Sequence, residues 1–336
     1  MAWISRRAAE RKARFLTILV VSIFSFSLQA CEIRSPGESD ANALYLPQYS
    51  SGSGISHVGS FNIQGQYAGG LIQTVAFDES KCRWVAAVSI DRNPESIVLI
   101  GFPPVGSVDS YENTKPTTLF SHPQDLSIAE IAGDRFFWLP SQSRKQVIGF
   151  KVDSVGGAIP GYEFTISRKP VKGLFSTVSR EGGRLLILGA VGRGKERQQV
   201  VRVYDISAFD KRTPEVDLTN VKPVHEWILA EAQQERAQWV QGFAVYGDTV
   251  YVLTGNAKKA GVKYLGTYSI SGDIESIDEL PNSSSGKIMS GKIRAYEPEG
   301  LEVVSNQNGL QLAFGMAGGT KGRRTYDLWL IPLKRK

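Results

Sequence analysis

The chain has 336 residues, 42% of them hydrophobic and 10% aromatic, with a net charge of +6. That charge at first suggests an anionic partner, but Arg6, Arg7, Arg11, Lys12 and Arg14 stand against Glu10 alone in the first 30 residues. The leading segment therefore carries +4, the remainder +2, and a nucleic-acid partner is not expected.

The basic cluster is followed by an apolar run at residues 15–28 (FLTILVVSIFSFSL). It is short for a spanning helix and of the right length for the core of a signal peptide, so residues 1–30 are read as a signal peptide. The run closes on Leu28-Gln29-Ala30-Cys31, which resembles a bacterial lipobox. That resemblance implies lipidation of Cys31 and a membrane lipoprotein of the periplasm or cell surface, with secretion after cleavage as the alternative.

Residues 31–55 are small and polar without a periodic apolar face, and are expected to form a flexible tether. The second cysteine, Cys82, lies in an apolar strand pattern beside Trp84. With Cys31 acylated it is expected to be an unpaired, buried and inert thiol.

From residue 56 onward the apolar stretches are short, β-branched and aromatic, separated by Gly, Asp, Asn and Ser, as in an all-β protein. Helical periodicity is expected only near residues 227–236 (WILAEAQQER). A turn followed by an apolar strand recurs five times: KCRWVA from Lys81, DRFFWL from Asp134, GRLLIL from Gly183, DTVYVL from Asp248 and GLQLAF from Gly309. Successive copies begin 53, 49, 65 and 61 residues apart, a spacing suited to four-stranded propeller blades.

Another short strand precedes each copy. It opens with a polar, a small and an apolar residue, at Gln73-Thr-Val, Gln124-Asp-Leu, Lys172-Gly-Leu, Gln241-Gly-Phe and Glu299-Gly-Leu. The last copy lacks one strand at the C-terminus, and residues 57–63 offer a spare one. The chain is therefore expected to form a five-bladed β-propeller over residues 56–333, closed by the N-terminal strand, which removes two open edges. A two-sheet sandwich is the other architecture considered, and it gives no reason for five in-phase copies.

Three segments carry a family resemblance: WVQGFAVYGDTVYVLTG from Trp239, YEPEGLEV from Tyr296 and FGMAGGTKGRR from Phe314. They resemble the propeller shared by teichoic-acid biosynthesis protein C, helveticin J-like bacteriocins and receptor-binding proteins of staphylococcal phages. The resemblance covers residues 239–331 and implies a surface or envelope protein that recognises extracellular glycans, with no catalytic mechanism attached. His122 matches loosely a histidine-glycine segment of that group, with Pro123 in place of the glycine.

In a propeller the innermost strands line the central channel, so their repeated polar residues should converge on the axis. Gln73, Gln124, Lys172, Gln241 and Glu299, with His122, are the expected ligand-binding set, amides and carboxylates suiting sugar hydroxyls. Arg323 and Arg324, in a glycine-rich turn, can hold a phosphate or uronate. Each has a plain structural alternative: water-binding channel residues, and a solvated loop. Trp239, Phe137 and Trp138 are expected mainly as inter-blade core, with Trp239 and Tyr296 the candidates for sugar stacking.

An enzyme acting on a glycan by hydrolysis or elimination is the first alternative, since glycosidases need two carboxylates flanking the bond. Glu297, Glu299 and Asp125 are its candidates, with Asp78 as a further partner. A protein-interaction scaffold using blade edges and residues 208–237 is the second. The three histidines show no metal-ligand spacing, and neither metal nor cofactor is expected.

Overall fold

The computed structural model describes residues 56–333 apart from 62–69, 91–95, 103–111, 121–122, 132, 142, 154–155, 168–172, 181–182, 193–197, 208–214, 231–238, 256–262, 281–295, 307–308 and 321–322. The leader, the tether and Cys31 lie outside the described residues.

Among the described residues, twenty-one strands form five sheets. Strand β1 (Ser56–Phe61) comes first in the chain and is used last, as described below. Blade 1 is the meander β2 (Leu71–Asp78), β3 (Arg83–Ile90), β4 (Ser96–Phe102) and β5 (Glu112–Asn113). Blade 2 is β6 (Ser127–Ile131), β7 (Asp134–Ser141), β8 (Gln146–Val152) and β9 (Ala158–Thr165).

Blade 3 begins with β10 (Phe175–Val178), β11 (Arg184–Val191) and β12 (Gln198–Asp205). The chain then detours: β13 (Glu215–Asp217) runs parallel to β9 as a fifth strand of blade 2, and β14 (His225–Ile228) returns to finish blade 3 beside β12. Blade 4 is β15 (Val240–Tyr246), β16 (Thr249–Thr254), β17 (Tyr264–Ser269) and β18 (Ile274–Glu279).

Blade 5 is β19 (Tyr296–Asn306), β20 (Gly309–Thr320) and β21 (Arg323–Pro332), and its fourth strand is β1, antiparallel to β21. The five-bladed propeller closed by its N-terminal strand is thus the fold of the chain. The Ser60 hydroxyl donates to the Asp327 carboxylate across this seam, and the His57 and Trp329 rings lie 4.6 Å apart.

The inner strands neighbour one another in a ring: β19 beside β2 and β15, β10 beside β15 and β6, and β6 beside β2. Because both faces of each meander are apolar, with successive residues buried in strands such as β2 and β3, the blades stack face to face around the ring and the core is a set of inter-blade layers. Between blades 2 and 3, Trp138, Tyr162 and Phe164 stack with successive ring centroids 5.8 and 6.2 Å apart. Gly149 makes room for the Trp138 ring, whose atoms come within 2.6 Å of where a Cβ would stand.

Two local expectations are corrected. Of the helix expected over 227–236, Trp227 and Ile228 instead end strand β14, where the Trp227 ring packs on Tyr268 at 4.9 Å and its Nε1 donates to the Ile270 carbonyl at 3.2 Å, while residues 231–236 lie outside the described residues. Tertiary burial of one large ring outweighs a short helical period. The only helical element among the described residues is a single 3₁₀ turn, Leu218–Asn220.

Cys82 stands not in a strand but in the turn before β3. It is half-buried at a φ of 48° and disulfide-bonded rather than a free thiol.

Candidate functional site

Among the described residues, the starts of the inner strands pack closely about the axis as a plug. In β2 and β15 the expected polar residues, Gln73 and Gln241, are themselves the extra residue of a β-bulge, and in β19 the extra residue is Gly300. The bulges tighten the strands where they approach the axis. A Cβ on Gly300, at a φ of +74°, would lie 2.7 Å from Thr74 Oγ1, and one on Gly242 would lie 2.7 Å from the Leu301 Cβ. The small position of the repeat is therefore the point of closest approach between blades.

Side chains complete the plug. Thr74 Oγ1 accepts from the Leu126 amide at 3.1 Å, and Ser127 Oγ accepts from the Val178 amide at 3.0 Å. Asp125 reaches across the axis, where its Oδ1 accepts from the Phe243 amide at 3.2 Å and the Leu301 amide also supports it. Burial pushes the Asp125 carboxyl well above the usual carboxylate range, opposed by the Phe243 amide and reinforced by Glu302. Its Oδ2 is buried without a partner among the described residues.

Of the expected ligand residues, Gln73, Gln241 and Glu299 are buried in this plug, and Gln124 is half-buried just before β6. Gln241 Nε2 donates to Glu297 Oε1 at 2.8 Å. The neighbouring Lys263 is buried, which pushes its amine below the ordinary lysine value against the pull of Glu297. Lys172 and His122 lie outside the described residues.

Arg323 and Arg324 are not in a loop but open β21, opposite Thr320 and Gly319. Asp78 is held by Arg135 Nη2 at 2.7 Å and by Ser80 Oγ at 2.8 Å, and is 2% exposed. Trp138 is core as expected, whereas Trp239 is 58% exposed and is not.

The plug rests on one further contact, in which the Tyr326 hydroxyl donates to the Glu299 carbonyl at 2.5 Å in a buried site. Tyr326→Phe leaves that carbonyl without its donor. It is expected to cost about 1–2 kcal/mol in urea-induced unfolding.

The opposite end of the hub is open. Where the inner strands finish, a cavity of about 240 Å³ is lined by Glu79, Glu130, Arg135, Arg180, Glu302 and the apolar wall around Val304. A smaller recess sharing Arg180 and Glu302 continues to β10 and β15, so all five inner strands contribute to the two spaces. Arg180 is ion-paired with Glu79.

Glu302 lines both spaces, and its carboxyl has neither a hydrogen bond nor an ion pair among the described residues. Burial pushes it up to about 8, while Arg180 pulls it down. The sequence reading overlooked Glu302. Simple alternation from Glu297 and Glu299 turns it away from the channel, and the bulge at Gly300 turns it back.

No protein-family model matches the sequence, and neither does any curated protein. The fold does have solved counterparts. The chain is similar to the tail fibre of Staphylococcus aureus phage P68, at 17% identity and a TM-score of 0.54 over 82% of this chain and 52% of that one; it spans about half of the tail fibre's length.

It is also similar to the catalytic domain of a GH62 α-L-arabinofuranosidase from Coprinopsis cinerea, at 11% identity and a TM-score of 0.53, over 82% and 96% of the two chains. The α-L-arabinofuranosidase of Podospora anserina, solved with cellotriose, matches at 10% identity and a TM-score of 0.50, over 81% and 94%. At these identities the likeness is one of fold, and the fold is a β-propeller shared with glycan-degrading enzymes and a phage tail fibre.

Proposed function

We propose that this chain is an exported propeller that binds an extracytoplasmic glycan or other envelope polymer in the cleft where its inner strands end. The observation that carries the reading is the contrast between the two ends of the hub. At one end the described residues Asp125, Thr74, Gly242 and Gly300 pack closely. The other holds a charged cleft of about 240 Å³ with apolar walls, the combination that sugar recognition uses. The resemblance to the teichoic-acid, helveticin J and phage receptor group supports the same ligand class.

The test is a glycan array followed by calorimetry on Arg180→Ala and on Gln241→Ala. Loss of binding in the first with retention in the second places the ligand in the cleft; the reverse places it at the plugged end. An enzymatic reading has one observation in its favour, since a carboxyl raised to about 8 can act as a general acid. Reducing-end release that disappears in Glu302→Gln would establish that role.

Export and anchoring are part of the proposal, on the strength of the leader. Acylation of Cys31 and a bond from the same sulfur to Cys82 exclude one another. Palmitate labelling that is lost in Cys31→Ser identifies a lipoprotein. An unlabelled chain whose two thiols resist alkylation until reduction identifies a secreted, disulfide-closed one.

A further inference from the structure

The part of the cleft wall that carries Glu79 is the turn 79–82 between β2 and β3, and it ends on Cys82. Asp78, at the base of the turn, accepts from Ser80 Oγ at 2.8 Å and from the Lys81 amide at 3.1 Å. Cys82 takes a φ of 48°, a left-handed conformation that a residue with a Cβ resists. The same place in blade 2, just before the second strand, is filled by Gly133 at a φ of 78°. Blade 1 thus holds a cysteine where the backbone favours glycine, and that cysteine is disulfide-bonded. The chain has two cysteines, so the bond is to Cys31.

Glu79, at the other end of the turn, is ion-paired with Arg180, and both side chains are more than a third exposed. An ion pair this open contributes little by itself, so it persists only while the turn holds the carboxylate in place. A ligand group that uses Arg180 must first displace Glu79. Arg135, the second guanidinium in the cleft, is held differently. Its partner Asp78 is buried, belongs to β2 and is also approached by Arg83 at 3.7 Å.

Resting on the reading that a ligand occupies this cleft, we infer that the Cys82 bond is a redox-sensitive fastener of the cleft wall, keeping Glu79 on Arg180 when formed and making Arg180 available to ligand when broken. A dithiol breaks it in two exchanges. One thiolate attacks and releases the first cysteine; the second closes the reductant into its own disulfide and releases the other, and each cysteine takes up a proton. Cys82 then relaxes out of the left-handed region, and the turn loosens at Glu79. Acylation of Cys31 leaves Cys82 in the same thiol state. The anchored and the secreted forms of the chain therefore differ in their clefts, and the anchored one has Arg180 available.

The experiment labels the arginines of the exported, unacylated chain with phenylglyoxal before and after treatment with a dithiol, each arginine being read by peptide mass spectrometry. Arg180 is expected to react about fivefold or more faster after reduction, with Arg135 unchanged. Cys82→Ser keeps a left-handed residue without the bond and should react at the reduced rate. Cys82→Gly accepts that φ and should react at the slow rate of the oxidised chain.

Equal Arg180 rates before and after reduction would overturn the inference. So would an Arg135 rate that rises in step, which marks general loosening, or a Cys82→Gly chain as reactive as Cys82→Ser. Alkylation of Cys82 before reduction, in a chain without an acyl group, would overturn it as well. Because the probe is not a glycan, an array that finds no ligand removes the glycan reading without altering the labelling result, and equal labelling rates leave a bound glycan standing.

Discussion

Unfolding midpoints measured from pH 5 to 9 will fall for this chain as the pH rises toward and through 8, and Glu302→Gln will remove most of that fall. The folded carboxyl sits at about 8 against an ordinary 4.5, so the native state holds a proton that the unfolded chain has released. A raised acid stabilises the native state fully below the ordinary value, and the contribution is lost as the pH climbs through the folded one. The gap sets a ceiling near 5 kcal/mol, and access of water to the cleft reduces the expected effect to on the order of 2–3 kcal/mol.

Asp125, also raised by burial, acts in the same direction, and Asp125→Asn should remove what remains of the slope. A profile identical in wild type and Glu302→Gln would show that the carboxyl is as well hydrated in the folded chain as in the unfolded one.

The second large effect is expected at Gly300. Its φ of +74° is one that a β-branched side chain resists, and a Cβ there would lie 2.9 Å from the Thr74 Cα as well as 2.7 Å from its hydroxyl. Gly300→Val therefore adds backbone strain to a clash between blades 5 and 1, together about 3–5 kcal/mol. The measurable consequence is a lower midpoint in urea with the slope unchanged. Gly133→Ala serves as a comparison, since its φ of +78° is similar but nothing lies within 4 Å of a Cβ there. It should show the backbone cost alone, and equal losses at the two positions would mean that the hub is not tightly closed.

The architecture was readable because a propeller writes its period into the chain. The five copies beginning at Lys81, Asp134, Gly183, Asp248 and Gly309 each supplied the second strand of a blade, and the spare strand near His57 had one place to go. The end proposed to hold the ligand was not readable. The repeated motif is conspicuous because five strands must crowd together there, and Gly242, Gly300, Thr74 and Asp125 make the close contacts.

The cleft draws instead on residues without shared spacing. Arg180 and Glu79 lie just past strand ends, and Glu302 faces the axis only because of a bulge that alternation does not foresee. Trp239 and Trp227 erred in opposite directions, since neither a local period nor apolar character alone states which ring will find a partner.

The pairing of β1 with β21 also sets a clock. Ser60 and Asp327 are 267 residues apart in the chain, so the last blade cannot be finished until nearly the whole polypeptide is available in one compartment. Closure of the ring is therefore expected to come late in folding, since it joins the two ends of the propeller.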